Sequence, residues 1–152
     1  MEKKGQRGFE DLECYQLALQ VMREAYRVLE GLPIEGKYNL GLQMRKAAVS
    51  IGLNIAEGYG RYHYLDSLRF YYIARGSLDE TLSGFITCDA LGYTKGGLPD
   101  QRQLCHNALR SLNGYIRWVR GQQQGQQEYG HRAFHEEETV YETALTSADE
   151  GD

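Results

Sequence analysis

Ser50-Ile51-Gly52-Leu53-Asn54-Ile55-Ala56-Glu57-Gly58, followed by Tyr59-Gly60-Arg61, is the stretch on which the fold turns. With Leu40, Met44 and Ala47 before it, its Ile51 and Ile55 keep the three-and-four spacing of a helix face. Glycine inside a helix costs roughly 1 kcal/mol against alanine. A buried amide or carboxylate costs more unless it finds a partner. A second stretch, Ile73-Ala74-Arg75-Gly76-Ser77-Leu78-Asp79-Glu80, has the same character. Both make sense where two helices approach closely and share a polar contact. Ala48, Gly52 and Ala56 form a ridge of small side chains four apart, which lets a neighbouring backbone come near.

Outward from this stretch the chain reads as four amphipathic helices. The first is expected from about Glu10 to Leu32, with Leu12, Tyr15, Leu19, Met22, Tyr26 and Leu29 as its apolar seam and Gly31 and Pro33 as its stop. Ile34 to Tyr38 reads as a short loop and Asn39 as the N-cap of a second helix, Leu40 to Tyr59, ended by Gly58 and Gly60. The third covers about Leu65 to Leu91, with Leu68, Tyr72, Leu78, Leu82, Phe85 and Ile86 toward the core. Pro99 suits the first turn of a fourth, which runs to about Gly121. Leu104, Ala108, Leu112, Tyr115, Ile116 and Val119 line its inner face. No strand pattern competes. The prediction is an all-α, antiparallel up-down-up-down four-helix bundle over residues 1–123. Residues 124–152 read as a Gln-rich linker and an acidic tail expected to be disordered, with Val140-Tyr141 and Ala144-Leu145 as a brief amphipathic turn.

Charge separates the same two parts. Residues 1–123 carry 16 Lys+Arg against 13 Asp+Glu, a balance of +3, and residues 124–152 carry 1 against 8, a balance of −7. Together they give the net −4. The odd cysteine count (Cys14, Cys88 and Cys105) argues against a disulfide framework, so each is expected to be a small buried hydrophobe. No apolar run approaches the roughly 20 residues needed to span a bilayer. The charged start, Met1 to Gly8, leads into no secretory core. A cytoplasmic protein is expected.

Asn54, Glu57, Arg75, Ser77 and Glu80 are the polar residues of the two glycine-bearing stretches. Asn54 and Glu57 are three apart, as are Ser77 and Glu80, so each pair shares a helix face. An antiparallel second and third helix would bring Glu57 toward Arg75 or Ser77. Paired carboxylates can serve acid-base chemistry, but no histidine joins the set and no nucleophile has a recognisable base. The reading favoured is a structural polar layer that fixes helix register, in a protein that is not an enzyme and needs no cofactor.

The pattern Tyr38-x-Leu40-x-x-Gln43-Met44-Arg45-Lys46-Ala47-Ala48-x-Ser50-Ile51-x-x-Asn54-Ile55-Ala56-Glu57-Gly58-x-Gly60-Arg61, then Ala74-Arg75-Gly76-Ser77-Leu78-x-Glu80, resembles the four-helix bundle family also named 23S rRNA intervening sequence proteins. Phe9-x-x-Leu12 and Leu91-Gly92-Tyr93 fit as well, so the resemblance covers roughly residues 9–120. Relatives of that fold include the accessory variability determinant (Avd) proteins of diversity-generating retroelements. The resemblance implies a small bundle, often a homopentamer, with no known catalysis. It also implies nucleic-acid association. Retroelement relatives bind a reverse transcriptase and its template RNA through a basic surface. This chain departs from the pattern in its acidic tail and negative net charge.

The fourth helix carries independent signs of a polyanion site. Four arginines and no acid stand between Gln101 and Gln127. Arg102, His106, Arg110, Arg117 and Arg120 advance by 4, 4, 7 and 3 residues, which keeps them on one face. The arginine fork suits phosphate because it donates bidentate hydrogen bonds; the bland alternative is a solvated face. Arg102, Arg110, Arg117 and Arg120 are therefore the first candidates for RNA or DNA contact, with Arg45, Lys46 and Arg61 next. The turn Tyr59-Gly60-Arg61-Tyr62-His63-Tyr64 interleaves aromatic rings with cations, and with Arg69 nearby it is suited either to stacking on unpaired bases or to packing at the bundle end. His131 and His135, four apart, are a weak metal pair with no further ligand spacing, so no metal site is expected. The leading expectation is a non-enzymatic oligomeric adaptor, a pentamer of itself. It would bind RNA or DNA, with a reverse transcriptase as a candidate partner and no membrane association. The alternative is a protein-binding structural oligomer that touches no nucleic acid. The tail at −7 would compete for the arginine face.

Overall fold

The computed structural model describes residues 8–123. Among them every regular element is helical and no strand occurs. A 3-10 turn, Gly8–Asp11, leads into α1 (Glu13–Glu30). A short α2 (Ile34–Tyr38) follows, then α3 (Leu40–Tyr59), α4 (Tyr64–Ala90) and α5 (Pro99–Gln122). The limits of α3, α4 and α5 lie within one residue of those the sequence predicts. The acidic tail, the His131/His135 pair and the turn at Val140–Leu145 lie outside the described residues.

Three local readings need correction. Ile34–Tyr38 is a helix and not a loop: Pro33, extended at φ −61 and ψ 159, stands immediately before its first turn, where a missing N–H is harmless. Asn39 then sits between two helices with φ −89 and ψ −79, not in the extended geometry of an N-cap, and its side chain makes no capping bond. The first helix also starts late. Leu12 takes extended backbone (φ −70, ψ 128) between the 3-10 turn and α1.

The α1 seam is rotated from the expected one. Cys14, Ala18, Val21, Ala25, Val28 and Leu29 are buried, while Tyr15 and Met22 only flank the core and Tyr26 is exposed. Small residues point at the centre because they let α1 lie close to its neighbours; the larger side chains fill the grooves beside it. Ile86 of α4 is likewise exposed. Leu29, Met44, Ile55, Leu78, Phe85 and Ile116 are fully buried at the centre. All three cysteines are free and buried.

Helix α1 lies against α3 and α5, and α4 lies against the same two. On α3 and α4, Met44 meets Gly84 and Cys88, Ser50 meets Ser77, and Gly58 meets Ser67 and Tyr71. Rising numbers on one helix thus face falling numbers on the next. The same opposition relates α4 to α5 through Tyr71–Tyr115, Arg75–Asn113 and Asp89–Arg102. It relates α1 to α5 through Glu13–Ser111 and Glu24–Gln101. The start of α1, the turn between α3 and α4, and the last residues of α5 therefore share one end. No helix among the described residues is long and apolar enough to cross a membrane.

Candidate nucleic-acid interface

The polar residues of the glycine-bearing stretches divide between two environments. Asn54 Nδ2 donates to the Ser50 carbonyl and to Ser50 Oγ, both at 2.8 Å. Ser77 Oγ donates to the same Ser50 Oγ at 2.9 Å, and Thr81 Oγ1 donates to the Ser77 carbonyl at 2.8 Å. A relay Asn54–Ser50–Ser77 thus bridges α3 and α4. Glu57 is not in it. It is exposed and pairs with Arg61 at 2.7 Å, one turn along its own helix, and not with Arg75 or Ser77. Arg75 turns to α5 instead, where Nη1 donates to Asn113 Oδ1 at 3.5 Å and the guanidinium lies 5.2 Å from the Tyr72 ring centroid. Glu80 is exposed. Ser50 is the residue that joins the pair.

The structure spreads the candidate cations along the molecule. Arg102 and Arg120 are eighteen residues apart on α5, about 27 Å at 1.5 Å per residue. Arg102 is half-buried and donates through Nη2 to Asp89 Oδ2 at 3.3 Å. Arg110 is exposed and bonds the neutral Asn107 amide at 2.7 Å, so its charge is not offset by that contact. Arg117 is exposed on the same side, and Arg120 is half-buried. Arg45 is half-buried, its guanidinium 6.0 Å from the Tyr26 centroid, and Lys46 is exposed. Both belong to the end where Arg102 lies. Arg61 belongs to the other end, 4.9 Å over the Phe70 ring.

At that second end the aromatic residues converge. A groove of about 710 Å³ is lined by Tyr59, Arg61, Tyr62, Tyr64, Ser67 and Tyr71 from the α3–α4 corner, and by Tyr115, Trp118, Val119 and Gln122 from α5. Tyr115 and Trp118, one turn apart, stack with ring centroids 5.9 Å apart and planes 14° apart. Tyr71 meets Tyr115 edge-on at 5.2 Å, and their hydroxyls are 3.4 Å apart. Trp118 is 59% exposed and Tyr62 55%, so flat ring surface faces solvent. Burial pushes both the Tyr71 and Tyr115 hydroxyls above the ordinary tyrosine value, and the neighbouring Tyr115 hydroxyl raises Tyr71 further. These two hydroxyls therefore stay protonated at neutral pH.

Two local features build this groove. Gly58 has no Cβ; one placed there would stand 2.6 Å from Tyr71 Cε1 and 3.0 Å from the Ser67 carbonyl. Its absence lets α4 close onto the end of α3. His63 then starts α4, with Nδ1 accepting from the Leu65 N–H at 3.2 Å. Sequence reasoning found the Tyr59–Tyr64 turn but left out Trp118 and assigned Tyr115 to the core alone. The available signal was a lone tryptophan on a polar helix, off the core seam and one turn from a tyrosine.

Among the described residues, fold and groove together define a helical protein with an aromatic, arginine-edged groove at one end. Its sequence places it further: the chain belongs to the 23S rRNA-intervening sequence protein family, which it matches over residues 10–114, well over half its length. The matched span includes Arg61, Arg102 and Arg110 and stops before Tyr115 and Trp118. No curated protein matches the chain.

Proposed function

We propose that this protein is a non-enzymatic adaptor that binds single-stranded RNA in the aromatic groove, with Arg61, Arg110 and Arg117 supplying phosphate contacts. The stacked, solvent-facing Tyr115–Trp118 pair carries the reading. Exposed rings cost free energy in water, and every base offers a π-face to cover them. The protonated Tyr71 and Tyr115 hydroxyls add no repulsion against phosphate. In this proposal the four long helices form an up-down-up-down bundle, the frame that brings residues 59–64 and 115–122 together. Arg102, sixteen residues back along α5 from Trp118, about 24 Å, lies away from the groove and drops out of the contact set.

The bundle works as an oligomer of itself, consistent with a pentamer. Leu53 and Ile73, 65% and 51% exposed, stand at one level on neighbouring α3 and α4. They offer apolar surface for another copy. A reverse transcriptase partner of the kind held by retroelement relatives would dock on the assembled oligomer.

The test is a salt-titrated affinity measurement on labelled oligouridylate, with native mass spectrometry for assembly. Trp118→Ala weakens binding by about 1–3 kcal/mol, the range for loss of one base–aromatic stack. Arg117→Gln lowers the salt slope by about 0.7, as one phosphate contact on a single strand predicts. Arg102→Gln leaves that slope unchanged. An affinity indifferent to Trp118→Ala refutes the groove as the site. Failure to bind at low salt, with the oligomer intact, favours the protein-binding alternative.

A further inference from the structure

We propose that residues 124–152 of the same chain occupy the aromatic groove when nucleic acid does not. The inference rests on the reading of the groove as a single-strand site and assigns that site a built-in competitor. Three observations converge on this occupant. First, Gln122 lines the groove and the chain continues past Gln123, so the segment starts at the groove's own rim. Second, the segment carries 8 acidic residues against Arg132 alone, while Arg117 stands exposed one residue from Trp118 and Arg61, paired with Glu57, lines the groove. Third, Tyr129, Phe134 and Tyr141 are interleaved with Glu128, Glu136–Glu138 and Glu142. Negative charge alternating with flat rings is the chemistry of a single strand, and the groove would read both alike.

Geometry permits the return. Seven residues from Gln122 to Tyr129 reach up to about 23 Å, and twelve to Phe134 up to about 40 Å. From Trp118 to Gln122 is only about 6 Å of helix. A short tether holds its end at an effective concentration in the millimolar range, so even weak ring and charge contacts fill the site. The arginine face of α5 is a poorer target for the tail than the sequence indicates. Arg102 already faces Asp89, and Arg110 lies twelve residues, about 18 Å, back along α5 from Gln122.

Trp118 is the only tryptophan in the chain, so its fluorescence reports the groove directly. Acrylamide quenching is measured on the full-length protein and on two full-length variants. One carries Tyr129→Ala, Phe134→Ala and Tyr141→Ala; the other carries Glu136→Gln, Glu137→Gln and Glu138→Gln. The quenching constant rises severalfold in both variants, and added salt raises it in the parent protein. A tail that closes the groove nine-tenths of the time also raises the apparent Kd for oligouridylate about tenfold, and both variants recover that factor. Equal quenching in all three proteins overturns the inference, whatever RNA does. Protection that disappears on dilution assigns the groove to another copy's tail and also overturns it. Variants that quench faster while no protein binds oligouridylate leave the tail in the groove and refute the RNA reading instead.

Discussion

Gly58→Ala tests how the groove is built. An added Cβ would stand 2.6 Å from Tyr71 Cε1 and 3.0 Å from Cδ1 of the same ring. Tyr71 is 1% exposed and wedged against Tyr115, so its ring has nowhere to swing. The third neighbour, at 3.0 Å, is the Ser67 carbonyl, and backbone yields less readily than a flexible side chain. Helix α4 must therefore back away from α3. Overpacking of this kind costs about 1–3 kcal/mol. Replacing glycine by alanine inside a helix returns at most roughly 1 kcal/mol, and less here because Gly58 is in the last turn of α3. The net expectation is a loss of about 1–2 kcal/mol, or roughly 4–8 °C in Tm for a folded body of this size. Gly76→Ala is the matched control. Nothing lies within 4 Å of its Cβ position, so it gains helix propensity with no clash and raises stability by about 0.5–1 kcal/mol. Thermal melts followed by circular dichroism at one protein concentration decide the matter. A Gly58→Ala protein as stable as the parent, or a Gly76→Ala protein less stable than it, refutes the reasoning.

Two further predictions concern the polar relay and the tyrosine pair. Ser50→Ala and Ser77→Ala each remove one side of a half-buried 2.9 Å hydrogen bond, and a double-mutant cycle in urea should give a coupling of about 0.5–1.5 kcal/mol; additive losses would show that the two hydroxyls act independently. Tyr71 has a folded pKa raised, first by burial, above the ordinary value of 10.0. Its contribution to stability is fully present below that value and is lost as pH rises from there toward the folded pKa. Tyr71→Phe should therefore flatten the alkaline limb of the stability profile, at a neutral-pH cost of about 1 kcal/mol or less for the long hydroxyl contact. An unchanged alkaline limb would remove Tyr71 as its source.

How far the sequence could be read depended on whether a property was local. The long helices were legible because Pro99, Gly92 and the apolar spacing act within a few residues. The α1 seam was misplaced because Leu12, Tyr15, Leu19, Met22 and Tyr26 satisfy the period as well as Cys14, Ala18, Val21 and Ala25. Only the closeness of α3 and α5 decides that the smaller set points inward. The glycines of the two stretches, Gly58 among them as a helix stop, also proved unequal. Gly58 relieves a contact with α4, whereas Gly76 faces open space. Glu57 found Arg61 one turn away before any partner across the interface, a choice fixed by side-chain reach. The groove was half legible. Its tyrosine-rich turn is contiguous in sequence, but Trp118 joins it across more than fifty residues, through a register that no local pattern encodes.

That register links stability and the proposed binding through a few atoms. Ser50 and Ser77 fix α3 against α4 at mid-helix, and Gly58 sets their separation at the end, where Tyr71 enters. Tyr71 fixes the edge of Tyr115, and Tyr115 fixes the plane on which Trp118 stacks. Each contact is short range, so a displacement at Gly58 reaches Trp118 in three steps. A serine lost at mid-helix lies farther away and has no ring in the chain of contacts. Loss of packing at Gly58 should then weaken RNA binding beyond what lost stability explains, under conditions where the protein remains folded. An equally destabilising change at Ser50 should not. The site is placed at the end of the molecule for the same reason. At that end Trp118 lies against Tyr115 and still shows a face to solvent.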